Sequence, residues 1–112
     1  MDEFLEKYQK SNNTKSRKTI ETMKQNILRI EKLIGKKVED FKISDFKNVN
    51  KIVDLITEKY NLNSAIQTIL GIIKFFTLNN YESQIIEDYR EVLNELVVER
   101  NQEQNSQDFR NN

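Results

Sequence analysis

The chain has 112 residues, of which 37% are hydrophobic and 32% are charged, so it can form one domain with a modest core. It has neither cysteine nor histidine, which excludes disulfides, thiolate metal sites and histidine-based acid–base catalysis. The formal net charge is zero, and no apolar run is long enough for a membrane span or a signal peptide.

The first predicted element is a short helix over residues 2–10. Phe4, Leu5 and Tyr8 would lie on one of its sides. Such a helix is only marginally stable alone, so we expect it to dock on the rest of the chain. A polar loop over residues 11–14 follows. Since proline is absent and glycine occurs only twice, the elements that come next should also be long helices.

A second helix is predicted from about residue 16 to residue 34. Its apolar residues recur at steps of three and four, which places them on one stripe of a helix. The members of that stripe are Ile20, Met23, Ile27, Ile30 and Ile34. Ser16 or Thr14 is expected to cap the start, and Gly35 is suited to a left-handed residue at the end.

A loop and a third helix follow. Val38, Phe41 and Ile43 should anchor the loop to the core, and Ser44 is expected to cap a helix that runs to Tyr60. The apolar stripe of this helix consists of Phe46, Val49, Ile52, Val53, Ile56 and Tyr60.

Residues 65–78 form the most apolar segment of the chain. Their length favours a helix over a strand, and a helix that is apolar around most of its circumference is usually central. Asn63 or Ser64 is the expected N-cap. Gly71 in the middle costs about 1 kcal/mol relative to Ala, so we expect a neighbouring helix to approach closely there.

The last predicted helix spans about residues 83–100. One side is apolar, consisting of Ile85, Ile86, Tyr89, Val92, Leu93, Leu96 and Val97. The other is acidic, consisting of Glu87, Asp88, Glu91, Glu95 and Glu99. The predicted domain organisation is therefore one helical domain over residues 1–100 and a disordered polar tail over residues 101–112.

The clearest functional feature is an uneven distribution of charge. Residues 1–78 carry 15 basic and 10 acidic side chains, a net charge of +5, and residues 79–112 carry −5. Between Lys7 and Lys37 ten basic residues accompany only two acidic ones. Lys15, Arg17 and Lys18 lie at a helix start, where free N–H groups favour a phosphate oxygen. The alternative is that these residues only keep a helix surface soluble.

No catalytic constellation is present. The serines have no histidine partner, and adjacent carboxylates such as Glu87 and Asp88 point in different directions on a helix. A glycine-rich phosphate loop and an acidic calcium loop are also absent. The sequence therefore predicts a protein that is not an enzyme and that carries no catalytic site, metal site or cofactor.

The order and spacing of residues 3–81, about 70% of the chain, resemble the N-terminal core-binding (SAM-like) domain of tyrosine recombinases and phage-type integrases. The likeness in the second helix is carried by Ser16, Thr19, Met23, Ile27 and Ile30. In the loop after it, the matching residues are Gly35, Lys36, Val38, Asp40 and Phe41. In the apolar helix, they are Ser64, Leu70, Ile73 and Phe76.

The resemblance implies an all-α fold, a compact bundle of four main helices plus a short N-terminal one, which presents its second and fourth helices to DNA. By position, the DNA-binding residues it implies are Thr14, Lys15, Ser16, Arg17, Lys18, Lys24, Asn63, Ser64, Gln67 and Lys74. Met23 replaces the usual aromatic residue, and the catalytic domain of the family has no counterpart here. The resemblance therefore implies either a fragment of a recombinase or a stand-alone relative without strand-cutting chemistry.

The predicted function is non-catalytic DNA binding, mainly to the phosphate backbone, in an intracellular location (cytoplasm or nucleus) and in a protein of viral or mobile-element origin. The alternative is a helical protein–protein module that forms a homodimer through the apolar side of the last helix. That side could instead pack within the bundle, which we favour. No membrane partner is expected.

Overall fold

The part of the chain that the structure describes forms five α-helices. The computed structural model describes residues 1–12, 16–81 and 83–110, with only the backbone described for Asn12, Ser83 and residues 103–110. The helices are α1 (Asp2–Asn12), α2 (Arg17–Ile34), α3 (Val49–Lys59), α4 (Leu62–Leu78) and α5 (Ser83–Arg110). Two 3-10 turns, Val38–Asp40 and Ile43–Asp45, precede α3. The described residues contain no strand, so the predicted all-α bundle is confirmed.

Helix α4 lies at the centre of the bundle and packs against each of the other four helices. It contributes more buried residues than any other element, and Ile69, Ile72 and Phe76 are completely inaccessible. Phe4 and Tyr8 of α1 are buried in the same core. The predicted central position of the apolar helix and the docking of the first helix are confirmed.

Both ends of α2 follow local sequence signals. The Ser16 hydroxyl accepts a hydrogen bond from the Thr19 N–H at 3.4 Å. Gly35 has φ 80°, and its N–H donates to the Glu31 carbonyl at 2.8 Å. A left-handed residue at this position is least costly for glycine. The predicted start and end of α2 are therefore confirmed, whereas the alternative cap, Thr14, lies outside the described residues.

The start of the third helix was predicted wrongly. Helix α3 begins at Val49 and not after Ser44, and the Asn48 side chain caps it by accepting from the Lys51 N–H at 3.3 Å. The cause is tertiary: the buried Phe46 has its carbonyl bound by the Tyr89 hydroxyl of α5 at 2.7 Å. That hydrogen bond and the burial of Phe46 keep residues 43–47 out of the α-helix, with residues 43–45 in a 3-10 turn instead, which overrides the local preference.

Helix α4 starts earlier than predicted. Its N-cap is Asn61, whose side-chain oxygen accepts from the Ser64 N–H at 2.9 Å, and neither Asn63 nor Ser64 has this role. Because α3 ends at Lys59, only Tyr60 and Asn61 connect the two helices. Asn61 is therefore the first residue with a suitable side chain at the corner.

Helix α5 continues ten residues beyond the predicted end at Arg100, to Arg110. The sequence from Ser83 onward contains neither proline nor glycine to end it. Ile85, Tyr89 and Leu96 are buried, and the other apolar residues of this face pack against the core. The favoured prediction, that this face packs within the bundle, is confirmed. Asn111 and Asn112 lie outside the described residues.

Candidate nucleic-acid interface

Helices α2 and α4 approach each other closely at Gly71. A Cβ atom placed on Gly71 would lie 3.1 Å from both Asn26 Cβ and Ile30 Cδ1. That spacing is tighter than ordinary van der Waals contact, so a larger residue at position 71 would require Asn26 or Ile30 to shift by a few tenths of an ångström. The close approach predicted at Gly71 is confirmed, and it sets the two helices side by side along one surface.

A groove with a volume of about 470 Å³ runs along this surface and is open to solvent. We call it the α2/α4 groove. All of its described lining comes from α1, α2 and α4. The lining residues are Tyr8, Lys18, Thr19, Thr22, Met23, Asn26, Gln67, Leu70 and Lys74. The groove is thus lined by both polar and apolar side chains, and it receives one lysine from α2 and one from α4.

On α2, a polar stripe runs along the groove. Lys18, Thr22 and Asn26 follow one another at steps of four, and Arg29 comes three residues later. These steps keep the four residues on one side of a helix over three turns, about 16 Å. On α4, the corresponding side carries Asn63, Gln67, Leu70 and Lys74, again at steps of three and four.

A chain of side-chain contacts joins these two stripes. The Arg29 guanidinium donates to Asn26 Oδ1 at 3.0 Å, and Asn26 Nδ2 donates to Gln67 Oε1 at 3.5 Å. Arg29 also lies over the ring of Tyr60, with Cζ 5.9 Å from the ring centroid. Asn26 is 2% exposed, so this polar residue is buried between the helices with both ends of its amide paired.

The two lysines that line the groove differ in solvent exposure. Lys18 is exposed, whereas Lys74 is partly buried, with Nζ 5.8 Å from the centre of the Tyr8 ring, a cation–π distance. Within the described part of the chain, none of the basic side chains of α2 forms an ion pair. Their charge is therefore not neutralised by the carboxylates that the structure describes.

The structure brings some of the predicted site residues together and separates others. Lys18, Gln67 and Lys74 line the α2/α4 groove, and Asn63 lies one turn before Gln67 on the same side of α4. Arg17 and Lys24 are seven residues apart and share another side of α2, because Arg17 is about 100° around the helix from Lys18.

Four of the predicted residues are otherwise placed or undescribed. Ser16 caps α2 through its hydroxyl, and Ser64 gives its N–H to the Asn61 cap. Thr14 and Lys15 lie outside the described residues. The structure therefore adds no geometry to the predicted contact of Thr14 and Lys15 with DNA.

Asn26, Arg29 and Tyr60 belong to the site but were not predicted as site residues. A sequence signal existed for two of them: Asn26 and Arg29 continue the spacing that begins at Lys18 and Thr22. Tyr60 had no such signal, because it was assigned to the apolar stripe of the third helix. Its contact with Arg29 depends on how α3 meets α2 in three dimensions.

The acidic helix α5 packs against α4 and α3. It contributes none of the described residues that line the α2/α4 groove. Two of its charged side chains are engaged locally: Glu87 pairs with Arg90 at 3.0 Å, and Asp88 accepts from Gln84 at 3.0 Å. The described acidic side chains of α5 therefore do not line the groove.

Two further properties limit what the surface can do. Among the described residues, no group of three or more His, Cys, Asp or Glu side chains is arranged to hold a metal ion. The helices in the described ranges are all too short or too polar to cross a lipid bilayer.

The fold and the groove together define an all-α protein with an open groove between α2 and α4 that receives a lysine from each of these helices. No protein-family model, curated protein or solved structure matches the chain. The functional argument therefore depends on the geometry of the α2/α4 groove and on the charges around it.

Proposed function

We propose that this chain is a non-catalytic DNA-binding domain that holds the phosphate backbone of duplex DNA in the α2/α4 groove. The observation that carries the proposal is the convergence of Lys18 from α2 and Lys74 from α4 on one open groove. Hydroxyl and amide side chains lie between them, and such groups are frequent partners of phosphate oxygens.

The charge distribution supports the same proposal. Residues 1–78 carry the net positive charge. The acidic α5 packs on α4 and α3, and none of its described side chains lines the groove. A polyanion would meet a local excess of cations even though the whole molecule is neutral. Affinity would then come mainly from the release of counterions from the DNA.

The way in which the aromatic side chains are covered favours duplex DNA over single-stranded DNA as the ligand. Single-strand binding sites usually stack bases on exposed rings. In the described groove, Tyr8 is buried beneath Lys74, and Tyr60 at its edge has Arg29 and Lys59 over its ring. The groove therefore offers cations and hydrogen-bond donors but no free stacking platform.

The resemblance to the recombinase core-binding domain belongs to the same proposal. In that family the second and fourth helices face the duplex, and here the groove lies between α2 and α4. We propose the SAM-like type of bundle, a viral or mobile-element origin and an intracellular location on this basis. The homodimer through α5 stays a prediction; its apolar face is occupied by the bundle, and among the described residues of α5 the exposed large apolar side chain is Val98, at 53%.

The salt dependence of DNA binding tests the proposal. If about five phosphates are contacted, log K should fall against log salt with a slope of about −4 to −5. Replacing Lys18 and Lys74 by Ala should flatten the slope by about two units, because each phosphate contact contributes about 0.9. The measurement is fluorescence anisotropy with labelled duplex and single-stranded DNA over a salt series.

Two control variants, each with two substitutions, remove the same amount of positive charge from surfaces outside the groove lining. Lys47 and Lys51 are exposed lysines near and on α3, and Lys47→Ala with Lys51→Ala should leave the slope nearly unchanged. Arg17→Ala with Lys24→Ala tests the other side of α2, where a smaller effect is expected. Equal flattening by the α3 pair, or a slope near zero for the unmodified protein, would contradict the proposal. Circular dichroism confirms that each variant is folded.

A further inference from the structure

The contact of Gln67 with Asn26 favours one orientation of the Gln67 side-chain amide, and this orientation suggests which base the residue could recognise. We propose that Gln67 reads guanine in the major groove by donating from its side-chain NH₂ group to the base. The inference depends on the proposed DNA-binding function. It adds a specificity-determining residue and the base that this residue selects.

The orientation follows from the donors and acceptors in the chain of contacts. Arginine has only donors, so the oxygen of Asn26 must face Arg29, at 3.0 Å. The NH₂ group of Asn26 then faces Gln67, and an NH₂ group can pair only with the oxygen of that amide, at 3.5 Å. The NH₂ group of Gln67 is consequently left to point away from Asn26.

The side chains of Asn26 and Arg29 are held in place by their surroundings. Asn26 is buried against the close approach at Gly71, and Arg29 is held over the Tyr60 ring. A polar residue with 2% exposure and both amide ends paired cannot turn over without losing its hydrogen bonds. Asn26 and Arg29 are therefore positioning residues for Gln67, which is itself only partly buried and lines the α2/α4 groove.

The exposed donors select the base. Guanine presents two neighbouring acceptors in the major groove, N7 and O6, whereas adenine presents one acceptor and one donor. A glutamine that reads adenine uses its oxygen and its NH₂ group together. Here the contact with Asn26 turns the oxygen of Gln67 toward α2 and leaves the NH₂ group as the other end of the amide, so a site with two acceptors is the better partner.

The position of Gln67 between cationic groups suits this role. Lys74 lies seven residues further along α4, about 10 Å away along the helix axis. Lys18 lines the same groove from α2, and Arg29 lies beyond Asn26 on the other side. Contacts of these cations with phosphates would place the amide over the edges of the bases.

Selection of duplexes from a randomised pool, followed by binding measurements on duplexes that differ at one position, tests the inference. The unmodified protein should enrich a G·C pair at one position and bind it about 5- to 100-fold more tightly than the A·T substitution. Replacing that guanine by 7-deazaguanine, which lacks the N7 acceptor, should remove most of this preference.

The variant Gln67→Glu reverses the chemistry at nearly constant shape. A carboxylate still accepts from Asn26, but it presents only acceptors to the DNA, so the preference for guanine should be lost and cytosine, whose N4 donates, should be favoured. Gln102→Glu on α5 is the matched control, since it adds the same charge at an exposed position outside the groove lining. It should keep the guanine preference.

The outcomes separate the two proposals. If duplex DNA binds with the expected salt dependence but Gln67→Glu and 7-deazaguanine leave the base preference unchanged, the role of Gln67 is wrong and the DNA-binding function stands. If the unmodified protein binds no DNA, both are wrong. Asn26→Asp, which cannot donate to Gln67 when ionised, should weaken the base preference more than it changes the salt slope.

Discussion

At the scale of single residues, the structure shows how a few polar side chains hold positions that hydrophobic burial alone would leave undefined. Asn26 links two helices, Asn48 and Asn61 begin helices, and Asp45 stabilises the turn before α3. Each of these side chains satisfies a backbone or side-chain group that would otherwise lack a partner. The sequence predicted that capping residues exist at these corners, but not which of several candidates is used.

Asp45 gives a prediction about acid stability. Its carboxylate accepts from the Lys36 ammonium and from the Lys42 N–H, both at 2.9 Å, and the Lys36 hydrogen bond is the main reason that its pKa lies below the ordinary 3.8. A lowered pKa means that the folded state favours the ionised form of Asp45 more than the unfolded state does. The stabilisation is therefore present above pH 3.8 and is lost as the pH falls below that value.

Asp45→Asn should lower the free energy of unfolding by about 0.5–1 kcal/mol near neutral pH; the effect is modest because the Lys36 side chain is 40% exposed and solvent screens the ion pair. The difference from the unmodified protein should vanish in strong acid. Urea unfolding followed by circular dichroism at a series of pH values measures it. Asp54→Asn, at an exposed position on α3, is the control, and an equal loss in that variant would argue against a specific role of Asp45.

At the scale of helices, local signals and tertiary contacts compete, and the outcome differs from one element to the next. Helix α2 was predictable because Ser16 and Gly35 act on the chain next to them. The start of α3 was not, because the hydrogen bond from Tyr89 to Phe46 joins residues 43 positions apart. The groove was only partly predictable for the same reason: helical spacing gives a stripe on α2 and one on α4, but not which stripes meet.

Gly71 gives a prediction at this scale. Gly71→Leu places a side chain where even a Cβ would be 3.1 Å from Asn26 and Ile30, so α2 and α4 must separate. Overpacking of this kind costs about 1–3 kcal/mol, only partly offset by the better helix propensity of leucine. The free energy of unfolding from urea titration is the measurement.

The control for this experiment is Thr77→Leu, at an exposed position later on the same helix. It should change the stability by no more than about 0.5 kcal/mol. If Gly71→Leu is as stable as the unmodified protein, the close contact between α2 and α4 is not needed, and the account of how the groove is formed would have to be abandoned.

At the scale of the whole molecule, the two signs of charge are segregated in space as well as in sequence. The described basic groove lies between α2 and α4, and the acidic helix packs on α4 and α3. Composition revealed the asymmetry of charge along the chain. It could not reveal that the described acidic side chains of α5 leave the groove open, because this depends on which face of α4 each neighbour covers.

The buried hydroxyl of Tyr89 should make the stability of the fold depend on pH in alkaline solution. Burial raises the pKa of this phenol above its ordinary value of 10, so the native chain retains a proton that the denatured chain releases, and stability declines as the pH rises past 10. The chain has four tyrosines and no tryptophan. In an ultraviolet titration, the phenolate absorbance of Tyr89 should therefore emerge only together with loss of helix, whereas in Tyr89→Phe that late component should be missing. If all four tyrosines instead ionise near pH 10 while the helices remain intact, the phenol of Tyr89 is accessible to hydroxide and the prediction is wrong.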